Sequence, residues 1–249
     1  MIQTVHIVES SNQEFLEKYA RAGCIGLSCG TTIIDKAIAR AERRIDGLGE
    51  FGDWSHAFVF QGRRPDGHHW VIESDLQIHR KHIQLGVQEN RISKYFDEGY
   101  YSSMAILDFG LSAEQLNQLL CEGLDLVANH ERYSLRELLG TLVALRSPAL
   151  RGRENLLSRE RSMYCSAFVQ HLYRKIGLEL SPGVHGKNTT PEDLARTGLP
   201  HTKYLLKRTA EPTRLAQLRS KLRGRIKNRV EVLKKVGNGL KGKRSQGED

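Results

Sequence analysis

Apolar positions along the chain follow two rhythms. Where they recur every three or four residues they predict helices with one buried face, and where they alternate or run together for about six residues they predict strands. Residues 13–20 read as a short helix and GCIGLS (23–28) as a strand entering the core. In TTIIDKAIARAERRI (31–45), Ile34, Ala37, Ile38, Ala41 and Ile45 share one helical face, and the Gly-rich DGLGEFGD closes that helix. WSHAFVFQG and HWVIESD read as two strands of a hairpin, because RRPDG between them supplies turn residues. SSMAILDFG (102–110) is a further strand. Ser112, followed by Glu114 and Gln115, predicts the capped start of a helix reaching about Ala128. A helix is expected from Leu135 to Leu145, ending before Pro148.

The strongest helical pattern is MYCSAFVQHLYRKIG (163–177), in which Phe168, Leu172 and Ile176 share a face and Gly177 stands at the left-handed cap position. Thr190, Pro191, Glu192 and Asp193 mark another helix start, and KYLLK a closing strand. Helices and strands mix without a βαβ rhythm, so the fold class is α+β, a small antiparallel sheet packed on helices.

Composition and charge divide the chain unevenly. The net charge is +9, yet the stretch from Arg214 to Arg244 carries 12 Lys or Arg against one acid, Glu231, which leaves the remainder slightly acidic. In that stretch Leu215, Leu218, Leu222, Ile226, Val230, Leu233, Val236 and Leu240 recur at helical steps. The expected organisation is therefore a domain over 1–210 and a basic amphipathic helix with a disordered end over 211–249. Residues 213–240 suit an anionic membrane surface; nucleic-acid phosphate is a less favoured partner, and packing on the domain or a second chain competes with both. The first twenty residues lack a secretory pattern and no segment is apolar for the length of a membrane span, so a cytoplasmic protein is expected, with a membrane-peripheral location open to it through its tail. Four cysteines at irregular spacings make no disulfide framework.

Cys165 opens the strongest helix. Helix N–H groups and the dipole favour a thiolate there and offer donors to an oxyanion; the competing reading is an inert buried thiol. A nucleophilic thiol needs an imidazole and a group to orient it. His56 shares strand parity with Trp54, Phe58 and Phe60, which places it on a buried face; Glu73 on the next strand is positioned to orient its ring. Cys24, Cys29, His79 and His82 sketch a four-ligand zinc set, but the spacing is loose and Cys24 belongs to a core strand, so neither a metal nor another cofactor is expected.

The order SHAFVF, HWVIES and then YCSAFV at a helix start resembles the circularly permuted members of the NlpC-type papain-like superfamily, the YiiX-like amidases. LSCGTTIIDKAIARAE, GLSAEQLNQLL and TTPEDLART extend the resemblance over roughly residues 20–208. It implies a papain-like cysteine hydrolase or acyltransferase acting on an amide, ester or thioester, in which Cys165 is the nucleophile, His56 the base and Glu73 the third member. Tyr164 and Ser166 would line the substrate site. The chain departs from the family at Ala167, where members often carry a Glu two residues after the cysteine. The alternative expectation is an inert papain-like module held by its basic tail to anionic membrane or nucleic acid.

Overall fold

The computed structural model describes residues 1–30, 53–79, 82–130, 140–141, 145, 148–153 and 163–207, with backbone alone at 76–79 and 82–85. The helices expected at 31–45 and in the tail lie outside these residues, as does most of the one expected at 135–145. The described residues all belong to one compact unit, Met1–Arg208.

Seven strands form one sheet: β1 (Ile2–Ile7), β2 (Ile25–Gly30), β3 (His56–Arg63), β4 (His69–His79), β5 (His82–Arg91), β6 (Tyr101–Asp108) and β7 (His201–Lys207). Their spatial order is β1-β7-β6-β2-β3-β4-β5. The β1–β7 pair is parallel and the others antiparallel. The described helices are α1 (Asn12–Tyr19), α2 (Ala113–Ala128), α3 (Cys165–Lys175) and α4 (Pro191–Ala195), joined by single helical turns at Ile92–Tyr95 and Pro148–Arg151. The α+β class expected from the sequence is what the chain adopts.

Both faces of the sheet are covered, which explains why its central strands read as continuous apolar runs. Ala57, Val59, Ile72, Ala105 and Leu107 point to one face, against Leu119 and Leu126 of α2 and Phe168, Val169, Leu172 and Tyr173 of α3. Their neighbours Phe58, Phe60, Val71, Met104 and Ile106 point to the other, against Phe15 and Leu16 of α1 and Ile92 and Tyr95. Trp54 departs from the expected parity: it joins the α3-side core, because regular strand begins only at His56.

Helix ends are set by the residues that signal them. Ser11 with Glu14, Ser112 with Gln115, and Thr190 with Asp193 each form a reciprocal capping box. At the far end of α3, Gly177 at φ +81° lets its N–H reach the Arg174 carbonyl and that of Leu178 the Tyr173 carbonyl, a Schellman closure. Two strands escape the periodicity reading. β1 is a largely exposed edge, and β5 pairs with β4 in a long antiparallel ladder that reaches His79 opposite His82. Among the described residues no helix is long and apolar enough to cross a membrane.

Candidate active site

Cys165 is the first residue of α3 and is 3% exposed. The N-cap, Tyr164, makes no side-chain cap hydrogen bond and the first turn holds no acid. The leading N–H groups of this helix are thus left without the side-chain acceptor that Ser11, Ser112 and Thr190 provide elsewhere.

His56 stands at the start of β3, where strand meets loop; its side chain keeps 14% exposure. Continuing the register Val59↔Ile72 and Phe60↔Val71 sets His56 beside Asp75, and Glu73 one diagonal step away on the same face. The expected His56–Glu73 contact forms: Nε2 lies 2.6 Å from Glu73 Oε2. The Cys165 thiol lies close enough to the same imidazole to act on its charge. With Nε2 held by Glu73, Nδ1 is the ring nitrogen left for a second partner.

Glu73 is fully buried and saturated. Its Oε2 also accepts from the Tyr95 hydroxyl at 2.5 Å, and its Oε1 accepts from Asn90 Nδ2 at 2.8 Å and Lys94 Nζ at 2.7 Å. Lys94 bridges onward to Asp75 Oδ2 at 2.6 Å. Tyr95 stacks on Phe58 with ring centroids 4.3 Å apart, so the apolar face of β3 fixes the phenol that holds the carboxylate. Asn90, Lys94, Tyr95 and Asp75 were not singled out by sequence. The first comes from β5, the unrecognised strand, and the next two from a turn without periodic pattern; only Asp75, at the end of HWVIESD and sharing Glu73's parity, left a signal.

The charges of the group are set by opposing effects. Burial is the largest effect on His56 and lowers its pKa, but hydrogen bonds with Cys165 and Glu73 and the charges of Cys165 and Asp75 outweigh it, holding the imidazole well above its ordinary 6.5. Burial is also the largest effect on Glu73 and raises its pKa; the Lys94 ammonium and the His56 interaction overcome it and keep the carboxyl far below the usual carboxylate range. Burial favours the neutral form of Lys94, and Glu73 and Asp75 reverse that. Burial, then the Glu73 charge, push the Tyr95 hydroxyl well up, so it stays a donor.

His56, Glu73 and Asp75 place three ligand-type atoms within 4.8 Å of one another, the geometry of a cation site. The donor set does not suit one: both Glu73 oxygens already accept two hydrogen bonds each, and the Lys94 ammonium sits between the carboxylates where a metal would go. Cys24, a member of the loose zinc set, is packed with Phe15, Phe58 and Phe60, and burial pushes its thiol up to about 12.

Tyr164 and Ser166, expected to line the substrate site, are buried and turned to internal partners. Both hydroxyls donate to the Thr189 carbonyl, at 2.7 and 2.8 Å, and Thr141 donates to the Tyr164 oxygen at 2.9 Å. They pin the start of α3 to the segment before α4. The lead-in is held from the sheet side as well, where Ser74 donates to the Met163 carbonyl at 2.6 Å. Cys165 is thus anchored by ties on both sides of it.

No known family profile and no curated protein matches the chain. Among solved structures it is similar to one titled metalloprotein yiiX from Escherichia coli O157:H7, DUF1105. The identity is 15% and the TM-score 0.45, over 74% of this chain and 96% of that one.

Proposed function

We propose that the protein is a cysteine acyl hydrolase or acyltransferase that works through a thioester intermediate, with Cys165, His56 and Glu73 as its reacting and orienting groups. One observation carries this reading: the His56 imidazole is held by the buried Glu73 carboxylate at 2.6 Å and lies beside the thiol that opens α3.

His56 takes the proton of the Cys165 thiol as sulfur becomes the nucleophile, and the raised pKa of the imidazole favours that transfer. Sulfur attacks the carbonyl carbon of an amide, ester or thioester, and the C–S bond forms as the carbonyl π pair moves to oxygen. The N–H groups at the start of α3, which its N-cap side chain leaves uncapped, stabilise that oxyanion. As the tetrahedral centre collapses, the bond to the leaving nitrogen, oxygen or sulfur breaks and His56 gives it a proton. Water or an acceptor hydroxyl or amine then loses a proton to His56 and attacks the thioester, and the thiolate leaves. Glu73 fixes the ring and offsets its charge throughout, as a permanently ionised carboxylate. Lys94, Tyr95 and Asn90 keep it so.

The test is alkylation by neutral iodoacetamide near pH 7, read cysteine by cysteine, since Cys24, Cys29 and Cys121 are thiols as well. Cys165 should react at least about ten-fold faster in the wild type than in His56→Ala, and Cys165→Ala should remove the fast phase. Equal Cys165 rates in wild type and His56→Ala would overturn the proposal.

A further inference from the structure

A cavity of about 320 Å³ opens beside α3. Among the described residues it is lined by Met163, Ala167, His171, Arg174, Lys175, His185, Gly186 and Lys187. Its floor and its wall differ in chemistry: Met163, Ala167 and Gly186 present carbon, while an arginine, two lysines and two imidazoles supply nitrogen, and no acidic side chain is among them. Two glutamates touch this set from outside. Glu122 accepts from His171 at 2.8 Å and from Lys175 at 3.2 Å, and Glu179 pairs with Arg174 at 3.0 Å. These acids offset two of the three permanent positive charges and orient the side chains that carry them. Gly186 lies close to the arginine: a Cβ there would stand 3.4 Å from Arg174 Nη1, an ordinary contact. An apolar pocket rimmed by cationic donors suits one ligand class, an oxyanion carried on a short apolar group.

We infer that this cavity is a binding site for the anionic end of the substrate, a phosphate or carboxylate borne on a short apolar segment. Its purpose rests on the acyl-transfer reading. Met163 and Ala167 lie two residues to either side of Cys165, so the cavity adjoins the start of α3. A substrate anchored here reaches the sulfur round the first turn, because two residues of helix rotate by about 200°. Arg174 and Lys175, half-exposed at the mouth, meet the anion first. His171, His185 and Lys187 complete the wall.

The experiment uses the full chain with Cys165→Ala, which cannot turn over, titrated calorimetrically with inorganic phosphate and with butyl phosphate. Both should bind saturably, the butyl ester more tightly. Arg174→Gln and Lys187→Gln should each weaken binding about ten-fold, while Lys207→Gln, whose ammonium pairs with Asp53 elsewhere, should not. Ala167→Glu, which adds a carboxylate to the floor, should abolish binding without altering the circular dichroism of the fold. Absence of saturable binding, or equal weakening by Lys207→Gln, would overturn the inference. A phosphate-binding protein whose Cys165 alkylates no faster than in His56→Ala would keep the cavity assignment and refute the acyl-transfer reading; the converse pair of results would do the reverse.

Discussion

Glu73 has four acceptor directions and uses all of them, and this decides how the site responds to acid. Its folded pKa lies below the unfolded value of 4.5, so its contribution to stability is complete above that pH and is lost as pH falls through the folded value. Glu73→Gln removes the titrating group. In urea denaturation from about pH 5 to about pH 3, wild type should therefore lose stability more steeply than Glu73→Gln, by up to about 1.4 kcal/mol per pH unit, the limit for one proton. Parallel pH profiles would show that the carboxyl is not held ionised. The three reacting residues were legible in sequence because each has a local signature: Cys165 opens a helix, His56 keeps strand parity with two phenylalanines, and Glu73 keeps parity on the next strand. Lys94 and Asn90 had none, since a lysine in a polar turn and an asparagine in an unrecognised strand look like solvated surface until the fold brings them to the carboxylate.

At the scale of elements, the site depends on how closely β2 approaches β3. Gly26 lies opposite Phe58, and a Cβ on it would fall 2.2 Å from the Phe58 ring, which itself stacks on Tyr95. The ring lies flat over the glycine, and Tyr95 is held at the height where its hydroxyl meets Glu73. Gly26→Ala must displace that ring. The overpacking should cost about 1–3 kcal/mol, seen as a lower urea midpoint at unchanged slope. Cys165 alkylation should also slow in the folded variant, because Tyr95 shifts with Phe58; an unchanged rate would show that the phenol is not part of the support. α1, α2, α3, α4 and β2, β3, β4, β6 and β7 were all readable, since capping residues and apolar runs are local properties. β1 and β5 were not. IQTVHI has no period-2 apolar face because it is an exposed edge, and HIQLGVQENR interrupts its alternation with Gly86 at φ +127°.

The whole molecule separates what closes the sheet from what performs the chemistry. β1 adds the amino-terminal residues to β7, near the end of the described chain, in parallel register from Ile2↔His201 to Ile7↔Leu206. The order β1-β7-β6-β2-β3-β4-β5 leaves β7, β6 and β2 between that seam and the His56 strand. Parallel pairing between strands so far apart in sequence is a product of tertiary folding, which is why no local pattern announces it. Removing residues 2–8 leaves β7 paired with β6 alone and strips Ile7 from the α1-side core. A few hydrogen bonds at about 1 kcal/mol net each amount to roughly 2–4 kcal/mol, or about 5–15 °C in melting midpoint for a unit of this size. The hydrogen bonds that hold Glu73 and His56 draw nothing from β1 or β7, so at temperatures well below the new midpoint Cys165 should alkylate at the wild-type rate and keep its dependence on His56. A truncated protein that melts as the wild type does would deny β1 its place in the sheet. One that stays folded but loses the fast thiol would mean that the two ends of the sheet are mechanically coupled.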